Sequence, residues 1–152
     1  DGRIFISGGY GAGAAMVRVE KDGESWKATT EWMNKNLRSH VAALTVYNNH
    51  IFGTDDAALR CLAFDGTIRW SGPNPRKGSV LIVDGLLFYL QADRGELVVC
   101  EASTEGYREL GRWPILAGEG MDGQVWAPIV FSNGKLFIRN QARLVCLDLM
   151  AR

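Results

Sequence analysis

The chain has 152 residues, and 47% of them are hydrophobic, so it is long enough to bury the core of one domain. Its 17 basic residues balance 17 acidic residues, so no overall field favours nucleic acid or an anionic membrane surface. No apolar run approaches the roughly 18 residues of a transmembrane helix, and no basic stretch follows Asp1. We therefore expect neither a membrane span nor a signal peptide in this sequence, and a start that is processed or trimmed.

An internal repeat organises the chain. Its copies begin with a two-residue turn that leads into an apolar strand, and they occupy residues 1–5, 48–52, 84–88 and 133–137 (DGRIF, NNHIF, DGLLF and NGKLF). They recur at intervals of about 36 to 49 residues, a period typical of propellers and repeat arrays. Asp-Gly and Asn-Gly pairs supply the positive φ angles of type I′ turns, so each copy predicts a hairpin of two antiparallel strands.

A second strand follows each of these phrases after a loop, at residues 16–19, 59–62, 97–100 and 144–147. The cysteines fall in this strand, in a register that we place opposite Arg18 of the first copy. Successive sheets would hold them too far apart for a disulfide bond, and an odd number of cysteines also argues against a purely disulfide-based framework. We therefore expect Cys61, Cys100 and Cys146 to be small buried strand residues.

Two further strands complete each repeat. A turn near residues 21–23, 64–66 and 104–106 leads to a strand that carries Trp26, Trp70 and Leu110. An apolar strand also precedes every phrase except the first, at residues 41–46, 80–83 and 127–131. The segment 30–37 has too few apolar residues at helical spacing to be more than a loop or a single turn.

With the four strands named a to d, the chain reads bcd, abcd, abcd, abc. This order predicts an all-β fold, a single partial β-propeller domain with about three and a half four-stranded antiparallel blades. The expected blades span residues 1–37, 38–73, 74–115 and 116–152.

One phrase carries a family resemblance. Residues 59–70 (LRCLAFDGTIRW), with Gly66 followed four residues later by Trp70, resemble the repeat of the pyrroloquinoline-quinone-like propellers. That superfamily includes quinoprotein alcohol dehydrogenases and an outer-membrane assembly lipoprotein. Residues 78–85 and 126–130 also look like its uncharacterised secreted bacterial branch, so the resemblance covers essentially the whole chain.

The resemblance implies roles for the aromatic residues and a compartment. The Trp of strand d packs between neighbouring blades in such propellers, which implies structural blade docking by Trp26 and Trp70. Leu110 departs from the pattern, and Trp113 is the candidate substitute. Members of the superfamily are usually exported, so the resemblance implies a periplasmic or extracellular location.

The expected blade count leaves two open ends. Propellers close with about four to eight blades, and a shorter row exposes unpaired backbone and apolar faces. We therefore expect the chain to be a fragment of a seven- or eight-bladed ring, or to self-associate so that a second copy covers these faces.

The expected strand order and the residue spacing argue against three kinds of chemistry. Residues 9–13 (GYGAG) superficially resemble a dinucleotide-binding turn, but the strand expected after them predicts a hairpin loop instead of a βαβ unit. His40, His50, Asp55, Asp56 and Asp93 lack the spacing of zinc or EF-hand ligands, so we interpret the acids as solvated loop charges and expect no metal site. No nucleophile motif of the Gly-x-Ser-x-Gly kind occurs, and we assign no catalytic residue.

The quinone is a cofactor that the resemblance suggests and the residues do not support. In the dehydrogenases of the superfamily, pyrroloquinoline quinone and calcium lie over the ring centre, beside a disulfide between adjacent cysteines. This sequence has no Cys-Cys pair, and the calcium ligands cannot be traced onto it. We therefore expect no cofactor, with a fragment of a quinoprotein alcohol dehydrogenase as the alternative function.

The mouth of the expected central channel is the remaining candidate site. Val41, Lys77 and Trp126 share one register position after strand d, with Arg38, His40, Arg76, Ser79 and Gln124 as neighbours. We predict a ligand-binding site for an anionic or sugar-like group or a peptide, formed by Arg38, His40, Arg76, Lys77 and Trp126. The alternative is that these are ordinary loop residues. The sequence thus favours a noncatalytic binding or scaffolding module with a protein or polysaccharide partner.

Overall fold

The computed structural model describes residues 2–40, 43–55, 57–73, 77–116 and 125–150. These residues contain strands and no helix, so the predicted all-β class is confirmed for them. No helix in the described ranges is long and apolar enough to cross a membrane.

The strands form four antiparallel sheets in chain order. The first sheet contains β1 (Arg3–Gly8), β2 (Gly13–Asp22) and β3 (Ser25–Asn34). The second contains β4 (Thr45–Tyr47), β5 (His50–Thr54), β6 (Leu59–Ala63) and β7 (Ile68–Ser71). The third contains β8 (Val80–Val83), β9 (Leu86–Gln91), β10 (Glu96–Glu101) and β11 (Glu109–Trp113). The fourth contains β12 (Val130–Ser132), β13 (Lys135–Arg139) and β14 (Leu144–Asp148).

Each strand pairs with its chain neighbour, so every sheet is a simple meander. The two-residue turns of the repeat join strands a and b, with positive φ at both central residues: 47° and 57° at Asn48 and Asn49, and 54° and 76° at Asp84 and Gly85. Asn133 and Gly134 have φ of 48° and 73°. This backbone is that of the type I′ turns that the sequence indicates.

A one-residue bulge recurs between strands c and d. It lies between Met16 and Val17, between Cys61 and Leu62, and between Val99 and Cys100. On strand d, the residues left unpaired by the bulge are Glu31, Arg69 and Leu110. The residues that follow them are therefore equivalent. Trp32, Trp70 and Gly111 therefore occupy one structural position.

This register gives the docking role in the first sheet to Trp32 rather than Trp26. Trp32 donates from Nε1 to the Phe64 carbonyl at 2.7 Å, and Trp70 donates to the Ser103 carbonyl at 2.8 Å. Both acceptors lie in the c–d turn region of the next sheet. Trp26 is 71% exposed near the β2–β3 turn, because β3 continues through the segment 30–34 that the sequence indicated as loop.

In the third sheet, the equivalent position is occupied by Gly111, which has no side chain. Leu110 is 48% exposed, and a Cβ placed on Gly111 would collide with the Trp113 ring. Trp113 thus covers the place that Trp32 and Trp70 fill in the other sheets.

Three apolar clusters connect the sheets in sequence. Met16, Leu37 and Ile51 belong to the cluster between the first and second sheets. Phe52, Trp70 and Tyr89 belong to the cluster between the second and third, and the third and fourth share one further cluster. Among the described residues, the middle sheets are consequently buried on both faces, whereas the first and fourth are each covered on one face.

The cysteines do not share the environment or the register that we expected. Cys61 and Cys146 pair with Phe52 and Phe137, but Cys100 lies one position further along and pairs with Leu87. The equivalent residue of the first sheet is Met16, opposite Phe5, rather than Arg18. Cys61 and Cys100 are buried, whereas Cys146 is exposed on the uncovered face of the fourth sheet.

Candidate functional site

The candidate site lies at one end of the sheets, here called the loop end. Because successive strands of a meander run in opposite directions, its b–c loops and its d–a linkers lie at the same end. The described members of the predicted site, Arg38, His40, Lys77 and Trp126, are all in d–a linkers at this end. Arg76, Gln124 and Val41 lie outside the described residues.

Hydrogen bonds hold each linker against the adjacent loops and strands. Ser7 Oγ donates to the Leu37 carbonyl at 3.0 Å, and the Thr54 hydroxyl donates to the Gly78 carbonyl. The Ile129 amide donates to Ser79 Oγ at 3.2 Å. The backbone of these linkers is therefore fixed, and it limits the positions that their side chains can reach.

A buried carboxylate forms the centre of the first part of the site. Asp55 Oδ1 accepts from the amides of Ala57 and Ala58 at 2.7 and 2.9 Å, which closes the β5–β6 loop. Asp55 Oδ2 lies 3.4 Å from Arg60 Nε and 3.8 Å from Arg38 Nη2. The Asp55 side chain has 0% exposure, so the expectation of a solvated loop charge is wrong for this residue. Asp56 lies outside the described residues.

The two arginines differ in how accessible they are. Arg60 is 15% exposed at its side chain and donates from Nη1 to the Asn36 carbonyl at 2.6 Å. The side chain of Arg38 is 32% exposed. Arg38 is therefore the cation of this cluster that solvent, or a ligand, reaches more readily.

His40 packs beside this cluster against the glycine-rich loop between β1 and β2. Its ring meets the Tyr10 ring edge to face, with centroids 4.6 Å apart, and Tyr10 is 94% exposed. A Cβ on Gly9 would collide with the His40 ring, so a side chain there would displace the histidine. No helix follows this loop, because β2 begins at Gly13.

Trp126 defines the second part of the site. It is 44% exposed and lines a pocket of about 170 Å³ together with Ala127, Arg139, Asn140 and Gln141. Asn140 Oδ1 accepts from the amides of Ala142 and Arg143, the same turn that Asp55 makes in the second sheet. The pocket therefore combines an aromatic face with a guanidinium and carboxamide groups.

The structure divides the predicted site into these two parts. The contacts described above join Arg38 to Asp55, and the pocket joins Trp126 to Arg139. Lys77 is half-buried in its linker, with a φ of 69°, and belongs to neither group. The sequence reasoning overlooked Arg139, Asn140 and Gln141, although the meander places every b–c loop beside a d–a linker.

Charge is distributed unevenly between the two ends of the sheets. At the loop end, cations outnumber acids among the described residues. These cations are Lys35, Arg38, Arg60, Lys77, Arg94, Arg112, Arg139 and Arg143, and the acids are Asp55, Asp93 and Glu96. Acids are more numerous in the turns at the opposite end, namely Asp22, Glu24, Asp65, Asp84, Glu101, Glu105 and Asp148. Among the described residues, the loop end thus has more cations than acids, although the net charge of the chain is zero.

Metal and thiol chemistry have little basis in the described ranges. Those ranges contain no group of three His, Cys, Asp or Glu residues that could hold a metal ion. His40 lies at the loop end, whereas His50 begins β5 at the opposite end of the second sheet. Burial raises the pKa of Cys61 to about 12 and that of Cys100 to about 11, so both thiols stay protonated at neutral pH.

No protein-family model matches the chain, and a search of curated proteins found no match.

Proposed function

We propose that the four sheets are blades of a β-propeller of the pyrroloquinoline-quinone-like repeat type. The support is the strand order bcd, abcd, abcd, abc, the apolar cluster between each pair of successive sheets, and the recurring tryptophan contact. Trp32 and Trp70 both donate to the next sheet from equivalent positions, and a contact that recurs in this way supports a repeated structural unit.

We propose further that this module is noncatalytic and binds a polysaccharide or protein partner through its loop end. The pocket of Trp126, Arg139 and Gln141 carries the proposal. An aromatic face with a forked donor and a carboxamide beside it suits a sugar ring or a peptide side chain, because it offers stacking together with directed hydrogen bonds. Export to the periplasm or cell surface, where such partners occur, is part of the proposal through the family resemblance.

The described residues add no support for the quinoprotein alternative. Calcium needs several oxygen ligands, and the described ranges contain no group of three acidic, histidine or cysteine side chains close enough to hold a metal. We therefore derive no redox step for this chain.

Removal of the pocket side chains tests the binding proposal. The probe is affinity electrophoresis through gels that contain a neutral or an acidic soluble polysaccharide, or a denatured protein. We expect at least one gel to retard the wild-type chain and the double variant Trp126→Ala, Arg139→Gln to lose most of that retardation. Trp26→Ala is the matched control, because Trp26 is an exposed tryptophan near a turn at the opposite end. Equal retardation of the double variant and the wild type would exclude the pocket.

A further inference from the structure

The three contacts between successive sheets join the same two kinds of face. In every sheet, the phenylalanine of strand b lies on one face, here called the front face, and the aliphatic residue before it lies on the other, the back face. Each contact brings a front-face phenylalanine together with a back-face residue of the next sheet in one apolar cluster, namely Phe5 with Ile51, Phe52 with Leu87, and Phe88 with Leu136. The described sheets therefore pack front to back every time.

The back face of the first sheet has the same pattern but no sheet against it among the described residues. Ile4 occupies the back-face position there and is 51% exposed, whereas its equivalents Ile51, Leu87 and Leu136 have 0% exposure. Pairing across β1, β2 and β3 extends this face with uncharged residues, namely Ile6, Ala15, Val17, Val19, Ala28, Thr30 and Met33. This face is therefore suited to an apolar neighbour.

The front face of the fourth sheet is open at an equivalent place. Leu144 pairs with Arg139, two residues after Phe137, and the residues that pair at the same distance after the other phenylalanines are its equivalents. These are Ala14, Leu59 and Leu97, which belong to the clusters between sheets and have 3%, 0% and 3% exposure. Leu144 is 67% exposed, so a position that the other sheets bury is uncovered in the fourth.

We propose that the front face of the fourth sheet binds the back face of the first sheet of a second copy of this chain. The occupant follows from the molecule itself, because each uncovered face is equivalent to one half of a contact that the chain already makes three times. Like faces meet nowhere among the described sheets, so the contact between copies is heterologous, with unlike surfaces on its two sides. The inference specifies which faces meet and is independent of the binding proposed for the loop end.

Complementation between two blocked variants tests this contact. Ile6→Glu places a charge on the back face of the first sheet, and Leu144→Glu places one on the front face of the fourth. In sedimentation velocity, we expect each variant alone to be a monomer at a concentration where the wild type associates. An equimolar mixture should form a complex with one copy of each, because each variant retains the face that the other has lost.

The matched control is a mixture of Ile6→Glu with Ile4→Glu, which block the same face and should form no complex. A complex in that mixture would contradict the assignment of the faces. Where a thermal midpoint shows that a variant is unfolded, Ile4→Glu replaces Ile6→Glu, and Val130→Glu replaces Leu144→Glu, since Val130 pairs with Phe137 on the same front face.

Other arrangements of the two faces give different results. Association of Leu144→Glu by itself would indicate that two first sheets bind each other, and association of Ile6→Glu by itself would indicate the same of two fourth sheets. Either result would overturn the front-to-back contact. A mixture of the two variants that remains monomeric, or a wild-type chain that never associates, would also overturn it.

Cys146 shows which chain contributes its fourth sheet to the complex. It pairs with Phe137 on the front face and is exposed, so the contact should cover it in Ile6→Glu but not in Leu144→Glu. With Leu144→Glu at about ten times the dissociation constant, about nine-tenths of the Ile6→Glu chains are bound, and alkylation of their Cys146 by iodoacetamide should slow about tenfold. Mass spectrometry separates the chains, because their peptides with residue 144 differ in mass. Equal slowing in both chains, each relative to that chain alone, would overturn the front-to-back contact.

Discussion

Trp32 and Trp70 connect successive sheets through the same contact, although different sequence contexts surround them. Each indole donates to a carbonyl of the next sheet, and Trp70 also meets the rings of Phe52 and Tyr107 at centroid distances of 6.0 and 6.1 Å. Trp26 has the same side chain but is 71% exposed. The stabilising effect of a tryptophan in this fold therefore depends on whether it faces the next sheet.

We expect Trp70→Ala to lower the free energy of unfolding by about 3–5 kcal/mol, because it leaves a cavity between two sheets and an unpaired carbonyl. Trp26→Ala should change it by no more than about 0.5 kcal/mol, as an exposed substitution. Urea denaturation of the two variants measures the difference, and similar losses would contradict the assigned register.

Glu109 gives the third sheet a pH-dependent contribution to stability. Hydrogen bonds from Arg112, and then from Tyr107, hold the pKa of this carboxyl below its ordinary value of 4.5. Since the folded pKa is lower than the unfolded one, the contribution is fully present above about pH 4.5 and is lost as the pH falls through the folded value.

Glu109→Gln should accordingly reduce the loss of stability between pH 5 and pH 3, which urea midpoints across that range would measure. Glu24→Gln removes an exposed carboxylate in the β2–β3 turn and serves as the comparison. An unchanged pH profile in Glu109→Gln would show that the Arg112 contact is not maintained in solution.

At the level of strands and turns, the a–b hairpins depend on left-handed backbone. Gly85 has a φ of 76°, and nothing lies near the position of its missing Cβ. Gly85→Ala should therefore cost about 1–2 kcal/mol of stability through backbone strain alone. Gly106→Ala, also in open space but without positive φ, should be neutral or slightly stabilising, so urea midpoints that rank the two variants the other way would contradict this turn geometry.

The sequence predicted these turns well because positive φ restricts residue type, so Asn-Gly and Asp-Gly pairs are visible in a single chain. The sequence could not show the bulge between strands c and d, because no particular residue type marks an unpaired position such as that of Glu31. The docking position lies at Trp32 rather than Trp26 because β3 continues to Asn34, and Cys100 lies one position further along its strand than Cys61 does.

The sequence predicted where the candidate site lies, but not which residues its side chains contact. Strand order places Arg38, His40 and Trp126 at one end of the sheets. The burial of Asp55 and the equivalence of Asn140 depend on how the b–c loops close, which is determined by three-dimensional packing rather than by local pattern.

On the scale of the whole molecule, the uncovered faces of the first and fourth sheets are apolar. Ile4, Ile6 and Met33 are 51%, 55% and 72% exposed on the first, and Val130 and Leu144 are 52% and 67% exposed on the fourth. Apolar faces of this kind associate in water, so we expect this chain to self-associate at micromolar concentration.

Sedimentation velocity over a concentration series tests this association. Ile6→Glu or Leu144→Glu should shift the chain toward monomer, because each places a charge on an uncovered face. Leu110→Glu, at the bulge of the third sheet and away from these faces, should not. A wild-type chain that stays monomeric throughout would show that the faces do not bind each other.

The reactivity of the Cys146 thiol should also report this self-association. It lies on the uncovered face of the fourth sheet near Leu144, whereas Cys61 and Cys100 are enclosed between sheets. In dilute native protein, iodoacetamide should modify Cys146 alone, and its alkylation rate should fall as the protein concentration rises. Mass spectrometry of a single residue would then follow the association of the fourth sheet with another copy of the chain.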